Sequence, residues 1–217
     1  MRYVISMIVV IMMIGCTRSE VNYMMATGEP PPTFFKITDM KTMNNFVFDT
    51  KKFSFLLPQG KVIDFEGDRF WRGASSRDGN AITLFNGPYH IDIAFENYYP
   101  QKVTKYERAI LDNNLTYIRS HIRIDPDDKL YIRHYGKESY LCTVMEYTKS
   151  CKCYKNDKYM GVSCYKFNPS KTEYECVVIR LTYSKPLDPK LARIFTYEDL
   201  KKRARRMLDS LYIKSLW

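Results

Sequence analysis

The sequence predicts an α+β fold in which an antiparallel sheet is covered by two amphipathic helices. Three observations lead to this expectation. Hydrophobic residues make up 45% of the 217 residues, enough for a packed core, and most of the aromatic residues are tyrosines, which suit half-buried sheet faces. Short apolar runs bounded by turn residues are typical of strands. Two segments with helical spacing separate and follow these runs, as in an α+β domain spanning residues 34–217.

The first strands are predicted at residues 34–37, 46–48 and 53–57, where apolar residues cluster before Pro58 and Gly60. A hairpin follows, with strands at 69–72 and 81–85 on either side of a polar turn that contains Asp78-Gly79. These segments supply the N-terminal part of the predicted sheet.

The clearest strand covers residues 90–96, because its apolar and polar residues alternate. One face holds Ile91, Ile93 and Phe95, and the other holds His90, Asp92 and Glu96. Further strands are predicted at about 130–135, 139–148, 160–167 and 173–183.

The first helix is predicted to begin at Thr104, which forms a capping box with Glu107. Its apolar stripe is Leu111, Leu115, Ile118 and Ile122, and the acidic turn at residues 125–128 ends it. The second helix begins at Thr196. Its stripe is Leu200, Ala204, Met207 or Leu208, and Leu211.

This order of elements resembles the PsbP/DcrB-like family. The resemblance covers about residues 50–212 and rests on a strand that ends in Leu57-Pro58-Gln59-Gly60 and on a closing helix that ends in Met207-Leu208-Asp209-Ser210-Leu211. It implies an α/β/α sandwich and an exported lipoprotein.

Residues 1–15 form a segment of their own. Arg2 precedes about a dozen apolar residues, too few to span a bilayer as a helix, and the run ends at Gly15-Cys16. Met13-Ile14-Gly15-Cys16 resembles the lipobox of bacterial lipoproteins, although Met13 stands where leucine is usual. The resemblance implies cleavage before Cys16, a diacylglycerol on its sulfur and an acylated amine. An uncleaved anchor and an ordinary signal peptide are the alternatives.

Residues 16–33 are predicted to be a tether, because they lack periodicity and end in Pro30, Pro31 and Pro32. The alternative is a short strand at 23–26 that docks on the domain. Thr17 is not the aspartate that marks retention at the inner membrane in enteric bacteria. The lipoprotein resemblance therefore implies the periplasmic side of the outer membrane if the source is Gram-negative.

The chain carries a net charge of +10, which becomes +9 when removal of residues 1–15 takes away Arg2. A basic chain suits nucleic acid, but an exported lipoprotein rarely meets any. We expect anionic lipid headgroups, cell-wall polymers or a protein partner with an acidic surface instead. The strongest basic run is on the last helix: Lys201, Lys202, Arg203, Arg205 and Arg206. It is either a solvated helix face or a partner-binding patch.

The remaining cysteines are Cys142, Cys151, Cys153, Cys164 and Cys176. An oxidising compartment allows two disulfides with one free thiol, or one disulfide with three. Turns between the strands bring Cys142 opposite Cys164, and Cys164 near Cys176. Because these three compete, we predict that Cys151 or Cys153 bonds one of them.

No motif predicts catalysis, a metal or another cofactor. His90 and Asp92 share a strand face and form at most half of a catalytic pair, because no nucleophile elbow is present. Residues 125–128 lack the glycine and distant glutamate of a calcium loop.

We therefore predict a membrane-anchored, periplasm-facing lipoprotein that is a protein-binding module and not an enzyme. An immunity or antagonist protein that blocks a toxin or enzyme is the leading hypothesis. A factor for assembly or maintenance of the cell envelope is the first alternative, and a hydrolase with an unrecognised site is the second.

Overall fold

The computed structural model describes residues 33–36, 47–58, 71–76, 80–96, 99–122, 124–149 and 157–214. The predicted α+β class is confirmed in its coarse form, since antiparallel sheets are combined with four helices and strands predominate.

Twelve strands lie in the described part of the chain. They are β1 Thr33–Lys36, β2 Val47–Asp49, β3 Phe53–Leu56, β4 Arg72–Ser75, β5 Ala81–Asn86, β6 Tyr89–Phe95, β7 Gln101–Lys102, β8 Lys129–Tyr135, β9 Tyr140–Lys149, β10 Asp157–Phe167, β11 Glu173–Tyr183 and β12 Tyr212–Ile213. The helices are α1 Lys105–Leu111, α2 Leu115–His121, α3 Pro189–Ile194 and α4 Tyr197–Ser210.

The main sheet has the strand order β1-β4-β5-β6-β11-β10-β9-β8, and β7 also pairs with β11. A small second sheet has the order β12-β3-β2. Every pairing between these strands is antiparallel. Hairpins join β5 to β6, β8 to β9 and β10 to β11, as short turns between consecutive strands favour.

The larger core lies between one face of the main sheet, the small sheet and α4. The alternation predicted for β6 is confirmed, because Ile91, Ile93 and Phe95 are buried in this core. The predicted stripe of the last helix is confirmed as well. Its buried apolar residues are Leu200, Ala204, Met207 and Leu208, and Leu211 follows at the C-cap.

A second core lies on the opposite face of the sheet, where α1 and α2 pack near one end. Ile110 of α1 and Ile118 of α2 are fully buried against residues such as Tyr165 and Cys176. Both helices are short, so they cover only part of this face.

The prediction of one continuous helix after Thr104 is wrong. The capping box of Thr104 and Glu107 is present, but α1 ends at Leu111 and α2 begins at Leu115. Asn113 adopts a positive φ of 53°, which asparagine tolerates better than most residues. The side chain of Asn114 then accepts a hydrogen bond from the backbone N–H of Tyr117 at 3.0 Å, which starts a new helix.

Three short elements were not predicted: β7, α3 and β12. None is long enough to show a periodic apolar pattern. The start of α3 does carry a local signal, because Asp188 caps it and Pro189 occupies its first turn.

The predicted disulfide between a loop cysteine and a strand cysteine is wrong. Cys142 pairs with Cys164 across β9 and β10, and their Cα atoms are 4.1 Å apart. Cys176 is a buried free thiol. Cys176 does not compete for a disulfide with Cys142 or Cys164. Its side chain enters the core under α1 and α2, whereas the other two cysteines lie in the larger core.

Several predictions fall outside the described residues: the signal at 1–15, Cys16, nearly all of the tether, Cys151, Cys153 and the turn at Asp78-Gly79. Among the residues that are described, no helix has the length and apolar character needed to cross a membrane.

We expect reduction of the Cys142–Cys164 bond to lower the free energy of unfolding by about 3 kcal/mol, because the bond closes a loop of 22 residues in the unfolded chain. Urea unfolding with and without a thiol reductant measures this loss. The matched control is the double variant Cys142→Ala/Cys164→Ala, whose stability should not respond to the reductant. An equal response in both proteins would contradict the pairing.

Candidate functional site

The sheet face that carries α1 and α2 is uncovered at its other end. There, side chains from five neighbouring strands are half-exposed or exposed, and none belongs to the core under α1 and α2. We call this surface the open face; it consists of Tyr147, Tyr159, Gly161, Arg180, Thr182, His90, Asp92, Thr83 and Phe85.

The strand register sorts the open face into two parallel rows. The first row crosses the sheet from Tyr147 through Tyr159, Thr182 and His90 to Phe85. The rings of Tyr147 and Tyr159 are stacked, with centroids 5.0 Å apart and planes inclined by 12°. This stacked tyrosine pair lies at one end of the row.

The second row runs through Gly161, Arg180, Asp92 and Thr83. Asp92 is its centre, because its Oδ1 accepts a hydrogen bond from Thr83 Oγ1 at 2.8 Å and lies 3.2 Å from His90 Nε2. A Cβ atom added to Gly161 would meet no other atom within 4 Å, so the glycine leaves open space beside the stacked tyrosine pair.

The charge of Asp92 is stabilised by its neighbours. Burial acts to raise the pKa of this carboxyl, but the hydrogen bonds from His90 and Thr83, and the charges of His90 and Arg180, outweigh it, so that the pKa is lowered. Asp92 is therefore a carboxylate whose charged form is favoured, and Thr83 and His90 hold it in place.

The structure does bring the sequence-predicted pair of His90 and Asp92 together. The third member of the group is Thr83, whose hydroxyl donates to Asp92 instead of lying against the imidazole. A catalytic triad needs the hydroxyl on the histidine, where its proton can be removed. The arrangement fits a binding network better than an activated nucleophile.

The basic run of α4 is largely matched by carboxylates of the domain itself. Lys201 Nζ lies 3.1 Å from Glu146 Oε2 and 2.9 Å from Glu198 Oε1. Arg203, which is buried, places its Nε 2.6 Å from Asp199 Oδ2.

The remaining residues of the run face solvent to different degrees. Arg205 is exposed and pairs with Asp209 at 2.8 Å, Arg206 is half-exposed, and Lys202 is exposed. Lys201, Arg203 and Arg205 thus have carboxylate partners within the domain, and the role of this run as a partner-binding patch stays a prediction.

Sequence reasoning missed a buried carboxylate on the core side of β11. Glu175 is 2% exposed, and neither carboxylate oxygen has a hydrogen-bond partner. Lys166, its cross-strand neighbour, is directed to Glu138 at 2.8 Å and to the Ile213 carbonyl at 3.0 Å. The alternation of β11 could have revealed Glu175, since it has the same parity as the buried Val177.

Burial raises the pKa of the Glu175 carboxyl, and the charges of Lys52 and Lys166 offset this only in part. Burial also raises the pKa of the Cys176 thiol well above its usual range, which disfavours the reactive thiolate. Within the described residues, no group of three acidic, histidine or cysteine side chains is arranged to hold a metal ion.

Comparison with known protein families and with curated proteins finds no match for this chain. The resemblance to the PsbP/DcrB-like family stays a prediction.

We expect Glu175→Gln to stabilise the domain at pH 7 by about 1 kcal/mol, because the substitution removes a buried charge although the amide still has no partner. Because the folded state raises the pKa of this carboxyl, the protonated form favours folding, and that contribution is lost as the pH rises through the raised pKa. The stability difference between variant and wild type should therefore grow from pH 4 to pH 7 in urea titrations.

The matched control is Glu173→Gln, which changes a half-exposed carboxylate two residues away on the same strand. Its effect on stability at pH 7 should be smaller than that of Glu175→Gln, because the Glu173 carboxylate is half-exposed. A Glu175→Gln difference that is independent of pH would contradict the buried, unpaired state of Glu175.

Proposed function

We propose that this chain is a lipid-anchored envelope protein whose α+β domain binds another protein, as an immunity or antagonist protein does. The observation that carries the proposal is the open face, where a stacked tyrosine pair adjoins a charged network that includes an exposed arginine. Tyrosine and arginine are the residues on which protein interfaces most often depend.

The open face also suits a protein partner by its rigidity. Its side chains project from five hydrogen-bonded strands, and Asp92 is held by both Thr83 and His90. Side chains that are already fixed lose little conformational entropy when a partner binds. A broad, nearly flat surface of this kind fits another folded protein better than a small molecule, which favours an enclosed cavity.

The lipobox supports an anchor on the periplasmic side of a membrane, with the outer membrane favoured in a Gram-negative source. A diacylglycerol on Cys16 and a further acyl chain on its amine provide the two or more chains that stable attachment needs. The proline-rich tether then gives the open face room to meet its partner.

The position of the helices supports the finer fold proposal, an α/β/α sandwich of the PsbP/DcrB-like type. α1 and α2 pack on one face of the main sheet, and α4 packs on the other. The partner with an acidic surface is a weaker part of the proposal, because Lys201, Arg203 and Arg205 already pair with carboxylates of α4 and β9.

We expect Cys16→Ala to abolish lipidation. Cells that express the wild-type chain should incorporate labelled palmitate into it, and the protein should sediment with membranes; the variant should do neither. Mass spectrometry of the mature N-terminus is the second readout. A labelled Cys16→Ala chain, or a mature wild-type chain that begins elsewhere, would contradict the lipoprotein assignment.

We expect deletion of the gene to make the source cells sensitive to a toxin made by their siblings, and wild-type protein supplied in trans to restore growth. The double variant Tyr159→Ala/Arg180→Ala should lose most of this protection, because the substitutions remove two side chains of the open face. Tyr99→Ala is the matched control, since Tyr99 is 76% exposed and lies outside that face.

The immunity proposal fails if deletion causes no sibling sensitivity under any growth condition. An envelope-assembly role would then predict a different phenotype, leakage of periplasmic protein in the deletion strain. If the double variant protects as well as Tyr99→Ala does, the function resides outside the open face.

A further inference from the structure

The main sheet has a gap in its edge beside β9. The pairing of β8 with β9 ends at Lys129, which is the first residue of β8 and lies opposite Glu146. Strand β9 continues beyond this pair to Lys149. Residues 147–149 pair with β10 on their other side, and the described part of the chain places no strand against their outer edge. A strand edge of this kind presents unpaired backbone groups and can accept an added strand.

A cavity of about 310 Å3 lies at this gap. Tyr147 and Thr148 of β9 form one side of it, and Asp125, Asp127 and Asp128 of the turn before β8 form another. The cavity thus adjoins the end of β9 and the carboxylates of this turn. We call this cavity the edge notch.

The remaining carboxylates around the edge notch are already matched. Glu146 accepts hydrogen bonds from Tyr131 at 2.7 Å and from Lys201 at 3.1 Å. Glu198 pairs with Lys201 at 2.9 Å.

The two lysines that line the notch are Lys129 and Lys158. The charge of Lys129 acts on Glu146, and the ammonium group of Lys158 lies 5.7 Å from the centre of the Tyr197 ring. Both lysines are exposed and bring positive charge to the Glu146 side of the notch.

The turn at residues 125–128 holds three carboxylates, and Arg119 Nη2 donates a hydrogen bond to the Asp128 carbonyl at 3.4 Å. Asp128 is half-exposed and accepts a hydrogen bond from the Asp125 backbone N–H at 2.9 Å, which fixes the shape of the turn. Asp125 and Asp127 are exposed. The notch is thus negative on a chain whose net charge is strongly positive, so its natural occupant carries the opposite charge.

We propose that the edge notch binds an extended, basic segment of the partner protein, which adds a short strand beside residues 147–149 and places a lysine or arginine next to Asp125 and Asp127. This inference rests on the proposed function and names the partner's recognition element. Backbone hydrogen bonds supply affinity in such strand addition, and the side-chain site supplies selectivity.

Tyr147 connects the edge notch to the open face. Its ring stacks on Tyr159 in the open face, and the same residue lines the notch. Both surfaces include Tyr147, so they adjoin each other at the end of β9. An aromatic residue beside an arriving cation adds a favourable cation–π contact.

The test measures binding of a fluorescein-labelled octapeptide of alternating valine and lysine to the mature lipidated protein in detergent, by fluorescence anisotropy. We expect Asp125→Asn/Asp127→Asn to weaken binding by about fivefold or more, because two rim charges are lost. Asp112→Asn is the matched control, since Asp112 is an exposed carboxylate outside the notch. Near-UV circular dichroism checks that each variant remains folded.

Two further peptides separate edge pairing from charge alone. In the first, alternate backbone nitrogens of the valine–lysine peptide are methylated, which removes the hydrogen-bond donors along one edge of the peptide and should abolish binding. The second is an alternating valine–glutamate peptide, which should not bind. The proposal is overturned if the methylated peptide binds as well as its parent, or if the notch variant and Asp112→Asn bind equally. Self-association of the protein that the notch variant prevents, measured by light scattering, would also overturn it in favour of a second copy as the occupant.

Failure of this inference is distinguishable from failure of the proposed function. Tyr159→Ala/Arg180→Ala should lose protection against the sibling toxin while it still binds the valine–lysine peptide. If the peptide does not bind but those two substitutions abolish protection, the edge notch inference is wrong and the protein-binding function stands.

Discussion

Antiparallel pairing joins β10 to β9 over nine residue pairs and to β11 over ten, and most other features of the domain follow from that register. Because side chains alternate between the faces of a strand, one register sends Val144, Val162 and Ile179 into the larger core and leaves Tyr147, Tyr159 and Arg180 outside it. A shift by one residue would exchange these two sets. The disulfide between Cys142 and Cys164 prevents such a shift, because it covalently links two residues that are directly opposed.

The charged side chains are also divided between the two faces of the main sheet. On the core side, α4 is fastened through Lys201 to Glu146 of β9, and within the helix the buried Arg203 pairs with Asp199. Tyr89 donates a hydrogen bond from its hydroxyl to Asp199 at 2.9 Å and accepts one from the Thr196 backbone N–H, so the start of α4 is tied to β6. Through these contacts the basic run contributes to the position of α4 on the core. The open face and the edge notch are the surfaces that we propose for contact with a partner.

Much of this fold is readable from the sequence, because local patterns decide it. The alternation around Ile93 and the helical stripe that contains Leu200 each depend only on neighbouring residues. Features that depend on pairing between distant segments are not readable in this way. Asn113 breaks a stripe that looks continuous, and Cys176 points away from Cys142 and Cys164 because of strand parity. The open face could not be predicted either, since it is assembled by register from five strands.

The central claim is that the open face is the surface that meets the partner protein. Hydroxyl-radical footprinting of the mature protein, alone and with the sibling toxin, tests it most directly, because the method reports the solvent exposure of individual tyrosine side chains. The account predicts that Tyr147 and Tyr159 are protected in the complex and that Tyr99, on a different part of the surface, is oxidised equally in both states. Unchanged oxidation of Tyr147 and Tyr159, together with protection confined to α4, would contradict it.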